Sequence, residues 1–326
     1  MKYAPLGLSS LLTLSLLALS LFGCGSDAAV DGGAGCLAAS CDSGTLFDAA
    51  SDAALEAGSD ATAPLPDGGA ALAPSFAVDV AWLQGNLGRP DVQLVDVRGA
   101  LSWEMKRIPG SIALEPSALV ATVGGIPGQV APAAAGQAAL RAAGVRGDGI
   151  AIVYDDSTSM GAARVVWALR YYGHPDVRIL DGGLLAWEGA AGALESGAAL
   201  APASTFSVTQ TLALRVEAAD VLSSLSDPNV SLVDARSASE YAGGHIPGAI
   251  SVDWPQNLSG GAFAPLAEVE ALYAAIPREH RVIAYCQSGR RAAMAWLSLS
   301  WLGYSDVRLY DGSWNEWGPD PSLPKE

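Results

Sequence analysis

The chain has 326 residues, half of them apolar, and a formal net charge of −16. That length suits roughly two domains of ordinary size, with enough apolar residues to bury a core in each. An acidic chain with no basic stripe repels nucleic acid phosphates, which excludes a nucleic-acid role.

The N-terminus reads as a targeting segment outside the fold. Lys2 gives a positive start, and the run from Leu6 to Phe22 carries no charge. The run is close to the length of a membrane helix, so an uncleaved anchor and a plain signal peptide are both open readings. It ends at Leu21-Phe22-Gly23-Cys24, which resembles a bacterial lipoprotein cleavage site: Leu stands three before the Cys and a small residue directly before it. The resemblance implies that residues 1–23 are removed, that Cys24 carries lipid, and that the chain is exported and tethered on the periplasmic side. Gly25 stands where Asp would signal retention at the inner membrane, which favours the outer membrane.

Residues 24–75 are rich in Ala, Gly, Asp, Ser and Pro. From Gly25 to Ser75 there are eight acids and no Lys or Arg. Such a stretch buries too little apolar surface to offset its chain entropy, so it is expected to be a disordered acidic tether. Cys36 and Cys41 lie within it and either pair after export or stand as two exposed thiols. Cys286 is then left alone in the folded part, as an inert buried thiol or a reactive one.

The remainder contains an internal repeat. Val92-Gln93-Leu94-Val95-Asp96-Val97-Arg98 matches Val230-Ser231-Leu232-Val233-Asp234-Ala235-Arg236, and Ile108-Pro109-Gly110 matches Ile246-Pro247-Gly248. Ile152-Val153-Tyr154 matches Ile283-Ala284-Tyr285, and the Asp176–Gly182 block matches Asp306–Gly312. Trp187 and Trp317 follow in each copy at the same spacing. Four blocks in one order predict two homologous domains, residues 76–195 and 205–320, joined by an Ala/Gly/Pro-rich link over 191–202.

Within each copy, short Val- and Ile-rich runs bounded by Asp and Gly read as buried strands. They alternate with Ala- and Leu-rich helical runs such as Gly161 to Tyr171 and Arg291 to Leu302. The fold class expected is α/β, each domain a mostly parallel sheet with helices on both faces. In such sheets ligands bind beyond the carboxyl ends of the strands, so the loops after Tyr154 and Tyr285 are the places to inspect.

After Tyr285 the chain reads Cys286-Gln287-Ser288-Gly289-Arg290-Arg291 and then runs into an apolar helix from Ala292. A Cys between a strand and a helix can receive loop N–H groups on its sulfur. The helix dipole and two nearby guanidinium groups favour negative charge there, hence the thiolate, which is the nucleophilic form. Gly289 permits a tight turn. Arg290 and Arg291 offer planar donor forks to an oxyanion. The three His and single available Cys show no metal-ligand spacing. His245 reads as structural, since Arg107 fills its place in the first copy. Asp234 with Arg236, like Asp96 with Arg98, reads as a repeated structural pair. The Trp residues read as core, with Trp254 a possible wall of the pocket.

These blocks together resemble the rhodanese family over nearly all of residues 76–320. The carriers are Leu232-Val233-Asp234-Ala235-Arg236, Glu240-Tyr241, Gly244-His245-Ile246-Pro247-Gly248-Ala249, the Tyr285–Arg291 loop, and Leu309-Tyr310-Asp311-Gly312 with Trp317. The resemblance implies a tandem-domain sulfurtransferase of the thiosulfate or mercaptopyruvate type. Cys286 would be the nucleophile, and Gln287, Ser288, Gly289, Arg290 and Arg291 would bind substrate. It implies transfer of sulfane sulfur from a small sulfur-containing anion to cyanide or a thiol through a Cys286 persulfide, with no cofactor and no metal. The expected partner set is those small molecules and the membrane reached through the N-terminal lipid, with the two domains packed together in a monomer.

The first copy has Asp155 where the second has Cys286, which makes residues 76–195 an inactive partner that walls one side of the site. The tandem transferases commonly carry Arg at the position of Glu240, and the mercaptopyruvate branch ends its loop in Gly-Val-Thr; this chain departs from both. Two rivals remain. A Cys-dependent phosphatase of related fold has five residues between Cys and Arg, whereas four separate Cys286 from Arg291. A non-catalytic module that binds a partner or sulfur species at the cell surface would not need the thiol.

Overall fold

The computed structural model describes residues 76–326. The signal-peptide and tether readings, with Cys24, Cys36 and Cys41, lie outside the described residues. Among those described, no helix is long and apolar enough to cross a membrane.

The first domain runs β1 (Ala77–Val78), α1 (Val80–Asn86), β2 (Val92–Asp96), α2 (Ala100–Met105), β3 (Ile112–Ala113), a hairpin of β4 (Val120–Val123) and β5 (Ile126–Val130), α3 (Ala133–Ala143), β6 (Ile150–Tyr154), α4 (Met160–Tyr171), β7 (Asp176–Leu180) and α5 (Gly183–Gly189). The second repeats it: β8 (Arg215–Val216), α6 (Ala218–Ser224), β9 (Val230–Asp234), α7 (Ala238–Ala242), β10 (Ile250–Ser251), a hairpin of β11 (Leu258–Ser259) and β12 (Ala262–Phe263), α8 (Leu266–Leu272), β13 (Arg281–Tyr285), α9 (Ala292–Trp301), β14 (Val307–Tyr310) and α10 (Ser313–Trp317).

Each domain has a five-stranded sheet, in the order β1-β7-β6-β2-β3 and, read from its other edge, β8-β14-β13-β9-β10. All pairings in both sheets are parallel. The central strands β6 and β13 are covered on both faces, which is why Ile-Ala-Ile-Val-Tyr and Val-Ile-Ala-Tyr show no polar alternation. The registers correspond as well: Tyr154 lies opposite Asp96, and Tyr285 opposite Asp234.

Helices α4 and α9 are buried nearly all round. A helix apolar on every side needs cover on every side. Its own sheet supplies one face and the helix of the other domain supplies another, so one apolar core containing Trp167, Trp296 and Cys286 runs through both domains. Two smaller cores fill the outer faces, around Trp187 and Trp317. The domains also exchange hydrogen bonds in matched fashion. Asp311 accepts from Val130 N of the first-domain hairpin at 2.7 Å, and Asp181 accepts from Phe263 N of the second-domain hairpin at 2.8 Å.

The link is longer than composition indicates and is strapped to the first domain. Arg107 and Glu195 exchange backbone bonds, Gly197 N reaches Glu104 O, Phe206 is buried, and Thr209 and Thr211 donate to Tyr172 and Tyr171. This strap ends just before β8, so residues 205–211, assigned to the second domain by sequence, pack with the first.

Candidate active site

Tyr285 closes β13, and Cys286 is the first residue beyond it. Gly289, at φ +75°, turns the chain toward α9. A side chain is costly at that φ, and a Cβ there would also lie 2.6 Å from Asp311 Oδ1. Cys286 is 1 % exposed and its side chain packs in the shared apolar core. It is a free thiol.

The loop amides divide into two sets, where the sequence suggested a single group converging on sulfur. Cys286 N and Gly289 N donate to Ser313 Oγ at 3.2 and 3.0 Å, and that hydroxyl donates to Tyr310 O at 2.7 Å. Among the described residues, the amides of Gln287, Ser288, Arg290 and Arg291 meet no protein acceptor. These four remain for an anion. Ser313 is fully buried at φ +52°, a left-handed conformation unusual for a side-chain-bearing residue. The first copy has Gly183 there, at φ +57°. Sequence reasoning passed over Ser313; the replacement of a glycine by serine between otherwise matching blocks was the available signal.

The two arginines have different fates. Arg291 does not present a free fork, because Nη1 and Nη2 each donate at 2.7 Å to the two oxygens of Glu240. Glu240 also accepts from Ser237 Oγ and Ser237 N, closing a capping box at the start of α7. The bonds from Arg291 hold the Glu240 carboxyl at about 2, well below its ordinary value. In return the Arg291 pKa is raised, first by those bonds and then, against burial, by the Cys286 sulfur. Arg290 is exposed and makes no ion pair or hydrogen bond among the described residues. Gln287 is pinned through Nε2 to Asn315 Oδ1 at 2.7 Å.

Ser288 and Arg290 face a cleft of about 480 Å³ between the domains, whose far wall includes Arg98, Gly128 and Arg164. Cys286 is not among the residues lining it. Trp254 also stands apart from this cleft and packs partly buried against the shared core. Arg164, from α4, crosses the domain boundary to Asp311 at 2.6 Å.

The repeated pairs hold the frame. Asp234 grips Arg236 through Nε and Nη2 at 2.7–3.1 Å, and Asp96 grips Arg98 alike. Ile246 N donates to Tyr285 Oη at 3.0 Å, as Ile108 N does to Tyr154 Oη. His245 stacks on Tyr241 with centroids 3.7 Å apart, outside the loop. In the first copy, Asp155 accepts from Asp156 N and Ser159 Oγ, so its own loop satisfies the carboxylate that replaces the thiol.

The rhodanese-like domain family matches this chain twice, over residues 79–190 and 217–320. The chain is 30% identical to a 3-mercaptopyruvate sulfurtransferase of Escherichia coli (strain K12), across 78% of this chain and 99% of that protein. It is 32% identical to a thiosulfate sulfurtransferase of Corynebacterium glutamicum, across 78% and 91%. The crystal structure of SseA from Escherichia coli, a 3-mercaptopyruvate sulfotransferase, superposes with a TM-score of 0.68 at 30% identity, covering 74% of this chain and 99% of that one. With one fold repeated twice and the cysteine loop in its second copy, the chain belongs to the rhodanese-like family.

Proposed function

We propose that the protein is a sulfurtransferase that moves sulfane sulfur from a small anionic donor such as thiosulfate to cyanide or a thiol, through a persulfide on Cys286. One observation carries this reading: among the described residues, the one free thiol stands at a strand end, under a loop with four amides that meet no acceptor. The Cys286 thiolate attacks the outer sulfur of thiosulfate. The donor S–S bond breaks, and sulfite leaves with its electron pair. The free loop amides and Arg291 supply preorganised positive potential for the negative persulfide. Burial keeps bulk water from it. An acceptor nucleophile then takes the outer sulfur and the thiolate returns, so the kinetics are ping-pong. Related proteins named for thiosulfate and for 3-mercaptopyruvate support the class of donor. Thiocyanate formation from thiosulfate and cyanide tests the reading. The wild type should produce it and Cys286→Ser should not; equal rates from both would refute it.

The leader belongs to the same proposal. Leu21-Phe22-Gly23-Cys24 supports export, lipid attachment at Cys24 and tethering at the periplasmic face of the outer membrane. Metabolic labelling with a fatty acid should mark the full chain and not Cys24→Ala.

A further inference from the structure

We infer that the cleft between the domains binds the carboxylate or sulfonate of a thiol acceptor, with Arg290 and Arg164 as its cationic contacts. This rests on the sulfur-transfer reading and names the acceptor class. Four observations converge. First, the cleft, at about 480 Å³, is far larger than a thiosulfate ion and falls in the usual size range of small-molecule sites. Second, its wall carries three arginines, Arg98, Arg164 and Arg290, against one acid, Glu115, which accepts from Ala100 N at 2.8 Å. Third, Arg290 is the loop cation left unpaired among the described residues, since Arg291 is committed to Glu240.

The fourth is Arg164, only 4 % exposed. Its Nη2 donates to Asp311 at 2.6 Å and to Gly128 O at 3.4 Å. Its Nη1 is buried and meets no acceptor among the described residues. That atom lies against the catalytic loop: a Cβ built on Gly289 would sit 3.1 Å from it. Buried donors in native proteins are nearly always satisfied, so this enclosed one leaves Arg164, a residue of the cleft wall, with an unmet donor beside the loop. Arg98 does not compete, being held by Asp96 at 2.6 Å and Asp156 at 3.3 Å. A Cβ built on Gly161 would lie 2.8 Å from Asp155 Oδ2 and 3.5 Å from Arg290 Nη2, so the first-copy carboxylate and the loop arginine approach the same point.

In the step this serves, the acceptor thiolate attacks the outer sulfur of the Cys286 persulfide. The new S–S bond forms as the old one breaks. The electron pair returns to Cys286, and no outside oxidant or reductant is needed. The anionic tail of the acceptor stays in the cleft while its sulfur reaches the loop.

The test loads the full chain with thiosulfate and mixes the persulfide form with mercaptoacetate, mercaptoethanesulfonate or uncharged mercaptoethanol, following loss of the persulfide. Taking the ratio of wild type to variant for each thiol cancels intrinsic thiol reactivity. Arg290→Gln, at an exposed position, should slow both anionic thiols by roughly tenfold or more, the worth of one charge-assisted contact. It should change mercaptoethanol by less than about twofold. Arg164→Lys should show the same bias. If only one anion responds, the cleft reads carboxylate or sulfonate specifically. A persulfide discharged with the same ratio by charged and uncharged thiols overturns this inference alone. Failure of the wild type to load any sulfur overturns the transfer reading and this one with it.

Discussion

Glu240 and Arg291 face each other through two parallel 2.7 Å hydrogen bonds, across 51 residues of sequence. They stand at two positions where the sequence departs from the family pattern it resembles, Glu240 in place of a common Arg and Arg291 in place of the Thr that ends the loop in the mercaptopyruvate branch. The guanidinium beside the thiol comes from the loop, and the α7 carboxylate fixes it in place. The pair explains why the loop tolerates an arginine beside the thiol: its orientation is set by Glu240 before any substrate arrives.

Glu240→Gln should therefore lower kcat/KM for thiosulfate by roughly tenfold, since the bidentate charge-assisted bonds are lost. Glu240→Asp should retain part of the activity. Steady-state thiocyanate formation measures both, and an unchanged kcat/KM in the Gln variant would separate the pair from function. The pH dependence has a definite sign. The folded value, about 2, lies below the ordinary 4.5, so the stability Glu240 contributes is present above 4.5 and lost as pH falls toward about 2. The difference in Tm between wild type and the Gln variant should be constant near neutrality and shrink only in that acid window.

Ser313 predicts a dissociation of stability from activity. Ser313→Ala leaves the amides of Cys286 and Gly289 without their acceptor, at about 1–3 kcal/mol for an unsatisfied buried group. Ser313→Gly loses the same acceptor but relieves the left-handed backbone, worth about 1 kcal/mol. The Gly variant should melt above the Ala variant, while both form persulfide more slowly than wild type. Equal rates of persulfide formation in all three would show that the hydroxyl does not hold the loop in its working shape.

Domain docking depends on Arg164 and Asp311, a buried pair spanning the boundary. Asp311→Asn leaves a buried guanidinium without its counter-charge and should cost roughly 3–5 kcal/mol in urea unfolding. The matching substitution Asp181→Asn keeps neutral hydrogen bonds to Phe263 N and Thr158 Oγ and has no arginine to strand, so about 1 kcal/mol is expected. Similar losses at the two sites would contradict the asymmetry.

His174 gives the fold an acid-sensitive element away from the Cys286 loop. Burial lowers its pKa from 6.5 to about 4, and Asp176 only partly opposes this. The unfolded chain therefore binds the proton first. The contribution is complete above pH 6.5 and is lost as pH falls toward about 4, by up to about 3 kcal/mol. His174→Gln should flatten the decline of Tm over this interval; an undiminished slope would place its origin elsewhere.

Much of the architecture was legible because it is written twice. The Val-x-Leu-Val-Asp-x-Arg and Asp-Val-Arg blocks are local strand and turn signals, and their recurrence set the domain count, the parallel sheets and the loop that bears Cys286. What stayed hidden was contact between distant segments. No local pattern pairs Arg291 with Glu240, or sends Arg164 from one domain to Asp311 of the other. Ser313 lies directly after a recognised block, but its role depends on a backbone conformation that only the neighbouring loop reveals. The link was misjudged for a related reason: its Ala/Gly/Pro composition carries no sign of the backbone bonds that strap residues 195–211 to the first domain.

Intact-mass spectrometry after incubation with thiosulfate puts the reaction and the residue to trial together. The wild type should gain the mass of one sulfur atom, cyanide should remove it, and Cys286→Ser should never acquire it. A wild-type chain whose mass is unchanged, or a Ser variant that gains the same sulfur, would contradict transfer through Cys286.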